Sequence, residues 1–182
     1  MYWKIDFWKR LGKKRSKDVE ERSTLEDFLH TFNTKQKESY KFKRKSERPD
    51  FICENDKGEL IAVELKELAD EGNLRKKNLG IISKFQDLWE ALRYVKRRVY
   101  YHDDVEQVLA RVNNKSFELL KDNVRFKFSV LDINDSISPE ETLEDLEKNP
   151  LDLSKFDKID GVFLLFYRAG CPGGWDYKEF WK

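Results

Sequence analysis

The chain has 182 residues, with 36 Lys+Arg against 35 Asp+Glu, a length that suits one domain around a single core rather than two full domains. Apolar residues make up 39% and charged residues another 39%, but 14% aromatics supply large side chains for burial and argue against wholesale disorder. The longest uninterrupted apolar stretch, Val162 to Tyr167, falls far short of the roughly 20 residues of a membrane-spanning helix, so no transmembrane segment is expected.

The N-terminal run MYWKIDFWKRLGKKR is basic and aromatic, but Lys4 and Asp6 interrupt its apolar residues. It therefore lacks the continuous apolar region of a signal peptide, and a cytoplasmic protein is expected. We divide the chain into this segment, residues 1–15, and one domain over 16–182. Trp3, Phe7, Trp8 and Leu11 suit packing against the domain or a second subunit, with contact to an anionic membrane surface as the alternative. Two cysteines, Cys53 and Cys171, and two histidines, His30 and His102, have no zinc-ligand spacing. The near-neutral total hides polarity: residues 1 to 100 hold 25 basic and 18 acidic side chains, net +7, and residues 101 to 182 hold 11 and 17, net −6.

In chain order, Leu25, Phe28, Leu29 and Phe32 recur at helical spacing and predict a helix from about Ser16 to Phe32. Ser16 is one candidate N-cap. Ser23-Thr24-Leu25-Glu26 reads as a capping box that would start the helix later. SYKFKRK alternates as a half-exposed strand, and Pro49 precedes the short apolar run Phe51-Ile52-Cys53. Asp56-Lys57-Gly58 then suits a three-residue hairpin loop with glycine at the left-handed position. Asn55 then faces Glu59, and Asp50 falls opposite Glu64. Ile81, Phe85, Leu88, Leu92, Val95 and Val99 mark a long helix, and Val105, Val108, Leu109 and Val112 a further one. Val124, Phe126, Phe128 and Val130 alternate as a strand, Ser138-Pro139-Glu140-Glu141 opens a short acidic helix, and GVFLLFYR reads as a strand covered on both faces. Gly170, Gly173 and Gly174 around Cys171-Pro172 mark a turn. The expected fold is α/β, a mixed central sheet flanked by helices.

Within LIAVELK the strand period of two places Leu60, Ala62, Glu64 and Lys66 on one face. If the hairpin register holds, Asp50 joins them, and two carboxylates and an ammonium converge. Two acids so placed repel unless a positive charge sits between them. Oxygen donors without His or Cys suit a hard divalent ion such as Mg²⁺ or Mn²⁺, and the chemistry this suggests is phosphodiester hydrolysis. The alternative is structural: Asp50 initiates a turn, and Glu64 with Lys66 forms a solvated ion pair.

Pro49-Asp50 followed by Glu64-Leu65-Lys66 resembles the motif of the PD-(D/E)XK nucleases. The resemblance implies a restriction-endonuclease-like core of a helix, a three-strand meander, a second helix and a further strand, and it covers about residues 16 to 133. It also implies that Asp50 and Glu64 bind the metal, that Lys66 assists hydrolysis, and that an acid from the first helix contributes. Glu21 is our candidate for that acid, with Glu20 and Glu26 as rivals. The tripeptide alone carries little information, since about five acid-x-Lys triplets are expected by chance, and Asp176-Tyr177-Lys178 is a second one. The order of elements around it carries more. Glu90 stands where a Gln-x-x-x-Tyr motif beginning at Gln86 would need Tyr, so the branch bearing that motif is not indicated.

Lys43, Arg44 and Lys45, the cluster Arg75, Lys76 and Lys77, and Lys84 are candidate phosphate contacts, although such runs are also ordinary solvated faces. The expected function is a Mg²⁺-dependent endonuclease acting on DNA, and the alternative is an inactive nuclease-fold module that binds nucleic acid or serves as a scaffold. Cutting both strands of a duplex with one site per chain favours a homodimer.

Overall fold

Leu25, Phe28, Leu29 and Phe32 do share one stripe of a helix, α1 (Lys17–Gln36), and bury it completely or nearly so. The computed structural model describes residues 17–68, 100–133, 139–168 and 174–182. Helix α1 is followed by strands β1 (Lys41–Lys45), β2 (Phe51–Glu54) and β3 (Leu60–Glu67), helix α2 (His102–Lys115), strand β4 (Phe126–Asp132), helix α3 (Pro139–Lys148), a 3₁₀ turn (Leu153–Lys155), and strands β5 (Gly161–Tyr167) and β6 (Trp175–Trp181). The expected helix over 81–99, with Arg75, Lys76, Lys77 and Lys84, lies outside the described residues, as does the segment 1–15.

The strands form one six-stranded sheet in chain order, β1 to β6. The pairs β1/β2, β2/β3 and β5/β6 are antiparallel, whereas β3/β4 and β4/β5 are parallel. The architecture is thus α/β with a mixed sheet. Alternation along the central strands sends side chains into two separate cores. Ile61, Val63 and Leu65 of β3 join Phe128 and Val130 of β4 and Phe163 and Leu165 of β5 beneath α1. Ala62, Leu131, Val162, Leu164 and Phe166 face the other way, onto Val105, Leu109 and Val112 of α2 and Leu146 of α3. The residues of β5 are buried from Gly161 to Phe166, as expected of a strand covered on both faces. Phe163 anchors the α1 side, its ring 5.1 Å from Phe28, 5.0 Å from Phe128 and 5.2 Å from Tyr177.

Two local expectations need correction. Ser23-Thr24-Leu25-Glu26 is not a helix start, because α1 is already helical from Lys17, and Glu26 instead accepts from Arg22 at 2.7 Å. The helix also runs past Phe32 to Gln36. The Asn33 side chain donates to the Tyr40 carbonyl at 2.8 Å and accepts from its amide at 2.9 Å, tying the helix end to the chain that follows. Lys37, with φ of 55°, then turns the backbone out of the helix.

Strand β6 is an element that the sequence reading left unassigned. Asp176, Lys178 and Glu179 interrupt its aromatic residues, as suits a strand at the sheet edge, where Tyr177 is buried toward α1 while neighbouring positions stay half exposed. The second acid-x-Lys triplet sits here in a structural role: Asp176 pairs with Lys35 of α1, and Lys178 with Glu147 at 3.0 Å.

Candidate metal centre

The site begins with a turn. Asn55, only 5% exposed, accepts the amides of Lys57 at 3.0 Å and Glu59 at 2.9 Å on its side-chain oxygen. Its backbone carbonyl accepts from Gly58 at 2.9 Å, and its amide donates to Glu59 at 3.1 Å. Gly58 carries φ of +79°, the left-handed geometry that this loop demands and that glycine adopts without strain. The loop fixes the ladder with Cys53 opposite Ile61, Ile52 opposite Ala62 and Phe51 opposite Val63. One step further, the register inferred from the sequence holds as a side-chain exchange. The Asp50 amide donates to Glu64 Oε2 at 3.0 Å, and the Leu65 amide donates to Asp50 Oδ2 at 2.9 Å.

Lys66 completes the group. Its Nζ lies 2.5 Å from Glu64 Oε1 and 3.8 Å from Asp50 Oδ2. The Glu64 side chain is 5% exposed and that of Asp50 20%, so the carboxylates are withdrawn from solvent, while the Lys66 side chain, 41% exposed, stays reachable. Burial pushes the Asp50 carboxyl up to about 6, and the neighbouring Glu64 carboxylate adds to the rise, outweighing Lys66 and the Leu65 amide. Burial opposes the Lys66 charge, but the hydrogen bond to Glu64 and the surrounding carboxylates outweigh it and hold the ammonium above its ordinary value.

A residue that the sequence reading did not identify also meets Glu64. Ser116, which caps the C-terminus of α2 and is 5% exposed, donates its hydroxyl to Glu64 Oε1 at 2.7 Å. Only tertiary packing brings these two positions together, so no local motif signals the contact. A second hydroxyl lies nearby in the ladder. Ser129 of β4 is the parallel partner of Glu64, and both belong to the face that looks toward α2. It is fully buried, and its Oγ has no hydrogen-bond partner among the described residues.

The remaining candidates are distributed less tightly. Glu21 lies at the near end of α1 with a side chain 20% exposed, accepting from Lys45 at 3.1 Å and pairing with Lys17 at 3.3 Å. Its charge is felt at both Asp50 and Lys66, whereas Glu20 and Glu26 are exposed on the same helix. Of the predicted phosphate contacts on β1, Lys43 pairs with Glu54 at 2.8 Å, Arg44 with Asp122, and Lys45 with both Asp18 and Glu21. These cations are thus paired within the chain, while their side chains stay exposed to solvent. His30 is exposed on α1, and His102 opens α2 beside Asp103 and Glu106. Cys53 is buried, which pushes its thiol up to about 12 and leaves it chemically quiet.

Among the described residues, no three or more His, Cys, Asp or Glu side chains gather into a metal-binding group. The Asp50–Glu64 pair is smaller than that, yet its chemistry fits a hard cation. Mg²⁺ commonly takes only one or two carboxylates and keeps water on its other positions. One buried and one half-buried carboxylate face one ammonium, and burial together with the Glu64 charge raises the Asp50 carboxyl. No helix among the described residues is long and apolar enough to cross a membrane. No protein-family model, curated protein or solved structure matches this chain.

Proposed function

We propose that the protein is a Mg²⁺- or Mn²⁺-dependent nuclease that hydrolyses phosphodiester bonds, with DNA as the favoured substrate. The observation that carries this reading is the convergence of Asp50, Glu64 and Lys66 in one partly buried cluster, held in place by main-chain bonds from Asp50 and Leu65. The order of elements supports a restriction-endonuclease-like core: α1, the antiparallel trio β1–β3, α2, and β4 parallel to β3. Asp50 and Glu64 would hold the cation through oxygen atoms. Once bound, such an ion supplies Lewis acidity toward a phosphoryl oxygen and lowers the pKa of a bound water. Lys66 presents a fixed positive charge beside the same carboxylates, suited to holding the attacking water or the negative charge that grows on the phosphate. Glu21 adds a negative charge from the opposite layer, felt at Asp50 and Lys66.

A second reading, an inactive nuclease-fold module that binds nucleic acid or acts as a scaffold, draws on the engagement of Glu21 by Lys45 and of Glu64 by Lys66, which occupies the acids of the site with cations of the chain itself. Labelled DNA and RNA titrated with Mg²⁺ and Mn²⁺ separate the two. Cleavage that falls about a hundredfold or more in Asp50→Ala, Glu64→Ala and Lys66→Ala supports the nuclease. Binding without cleavage by the unaltered chain supports the module. Duplex cleavage would call for two sites of opposite polarity, which a homodimer supplies most simply. Light scattering, run beside a plasmid assay that resolves nicked from linear product, tests this; a monomer that linearises plasmid in one binding event rules it out.

A further inference from the structure

Glu64 is held from several sides at once. Its Oε2 accepts from the Asp50 amide, while Oε1 accepts from both the Ser116 hydroxyl and the Lys66 ammonium. These donors come from three different places: the start of β2, the C-terminus of α2 and the far end of β3 itself. A carboxylate fixed in this way has its plane set before any ligand arrives. A cation drawing on Glu64 would compete with Lys66 for the same oxygen, whereas a neutral hydroxyl donor need not be displaced, because a carboxylate oxygen has more than one lone pair.

Ser129 is the unusual member of this layer. An unpartnered hydroxyl in a fully buried position costs stability, and native cores contain few of them. Its place in the ladder explains what it is near. Ser129 stands directly across the parallel pair from Glu64, with Phe128 and Val130 on either side pointing into the opposite core. Its hydroxyl thus shares a face with the Glu64 carboxylate and with Ser116.

We infer that Ser116 and Ser129 are positioning residues for Glu64: Ser116 orients the carboxylate in the metal-free protein, and the Ser129 hydroxyl is the donor held in reserve for Glu64 when a divalent cation draws it away from Lys66. This inference rests on the metal-site reading above. It gives the two serines different signatures. Ser116→Ala removes an existing hydrogen bond, so it lowers the metal-free melting temperature and also weakens metal binding. Ser129→Ala removes an unsatisfied group, so it leaves the metal-free melting temperature unchanged or raised, yet weakens metal binding.

The test is Mn²⁺ titration calorimetry on the full chain, with thermal melts in EDTA run on the same preparations. Supporting groups around a metal ligand commonly change affinity ten- to hundredfold, so each alanine variant should bind Mn²⁺ about tenfold more weakly or worse. Ser116→Thr, which keeps the hydroxyl, should restore affinity to near the unaltered level. Alanine variants that melt differently but bind Mn²⁺ as the unaltered chain does would make the serines purely structural and overturn the inference alone. An unaltered chain that binds no Mn²⁺, or binds it equally well as Glu64→Gln, overturns the metal-site reading and the inference with it.

Discussion

Asp50→Asn should make the metal-free protein more stable at neutral pH, and the structure sets both the size and the pH dependence of the gain. Asp50 has its carboxyl raised from 3.8 to about 6 by burial and by Glu64. An acid whose pKa is higher in the folded than in the unfolded state binds more protons when folded, so stability falls as pH rises through the interval between the two values. Below 3.8 there is no penalty, and above about 6 it is complete. The shift of about 2 units corresponds to about 3 kcal/mol at 1.36 kcal/mol per unit, of which about 2 kcal/mol develops between pH 4.5 and pH 7.5. Asparagine cannot ionise, and its side-chain oxygen can still accept from the Leu65 amide that Asp50 Oδ2 now receives at 2.9 Å. For a chain of this size 1 kcal/mol moves the melting temperature by roughly 2–4 °C. Melts in EDTA should therefore show the variant's advantage growing by about 4–8 °C from pH 4.5 to pH 7.5. An advantage of the same size at both pH values, or a variant less stable than the unaltered protein at pH 7.5, would refute the assignment of a strained carboxylate at this position.

Three further outcomes follow from the same geometry. Mn²⁺ should raise the melting temperature of the unaltered chain, more at pH 7.5 than at pH 5.5, because protons compete for Asp50 at the lower value, and this rise should be absent in Asp50→Asn; scanning fluorimetry with and without EDTA reads it directly. Lys66→Met should destabilise the metal-free protein by about 1 kcal/mol at pH 8 and by less at pH 5.5, where Asp50 takes up a proton instead; equal losses by urea denaturation at both pH values would point to lost packing by the side-chain stem. Asn55→Ala should cost about 2–3 kcal/mol, since the Lys57 and Glu59 amides lose their shared acceptor, and Gly58→Ala about 1–2 kcal/mol from its left-handed backbone; chemical denaturation of both variants gives the comparison.

The parts of this arrangement that could be read from the sequence are the local ones. The Asp56-Lys57-Gly58 loop determines the hairpin register through turn geometry, and the register brings Asp50 beside Glu64; every step lies within about fifteen residues. The alternation of β3 likewise tells which side chains share its faces. Ser116 and Ser129 escaped notice because their proximity to Glu64 depends on how α2 and β4 dock, which no short pattern encodes. The ion pairs of Lys43, Arg44 and Lys45 with Glu54, Asp122 and Asp18 likewise depend on which elements meet β1, which the basic run alone does not encode. The start of α1 is ambiguous for another reason: Ser23-Thr24-Leu25-Glu26 satisfies capping-box chemistry on paper, and only the helical backbone already in place from Lys17 decides against it, since the buried stripe from Leu25 onward fits either start.

The connectivity of the sheet also bears on the order in which the protein assembles. The hairpin that joins Asp50, Glu64 and Lys66 closes over a three-residue loop, while the parallel β3/β4 pairing must bring together strands separated by residues 68–125. Loop-closure entropy makes the first contact fast and the second slow. The nascent chain therefore brings its two carboxylates together early, while Ser116 and the β4 ladder arrive only with the long-range step. Pulse-labelled hydrogen exchange during refolding should find the Cys53 and Ile61 amides protected ahead of those of Phe128 and Val130. During that interval the acidic pair is open to solvent, where a divalent cation has its readiest access, so ions present during folding should load more quickly than ions added afterwards.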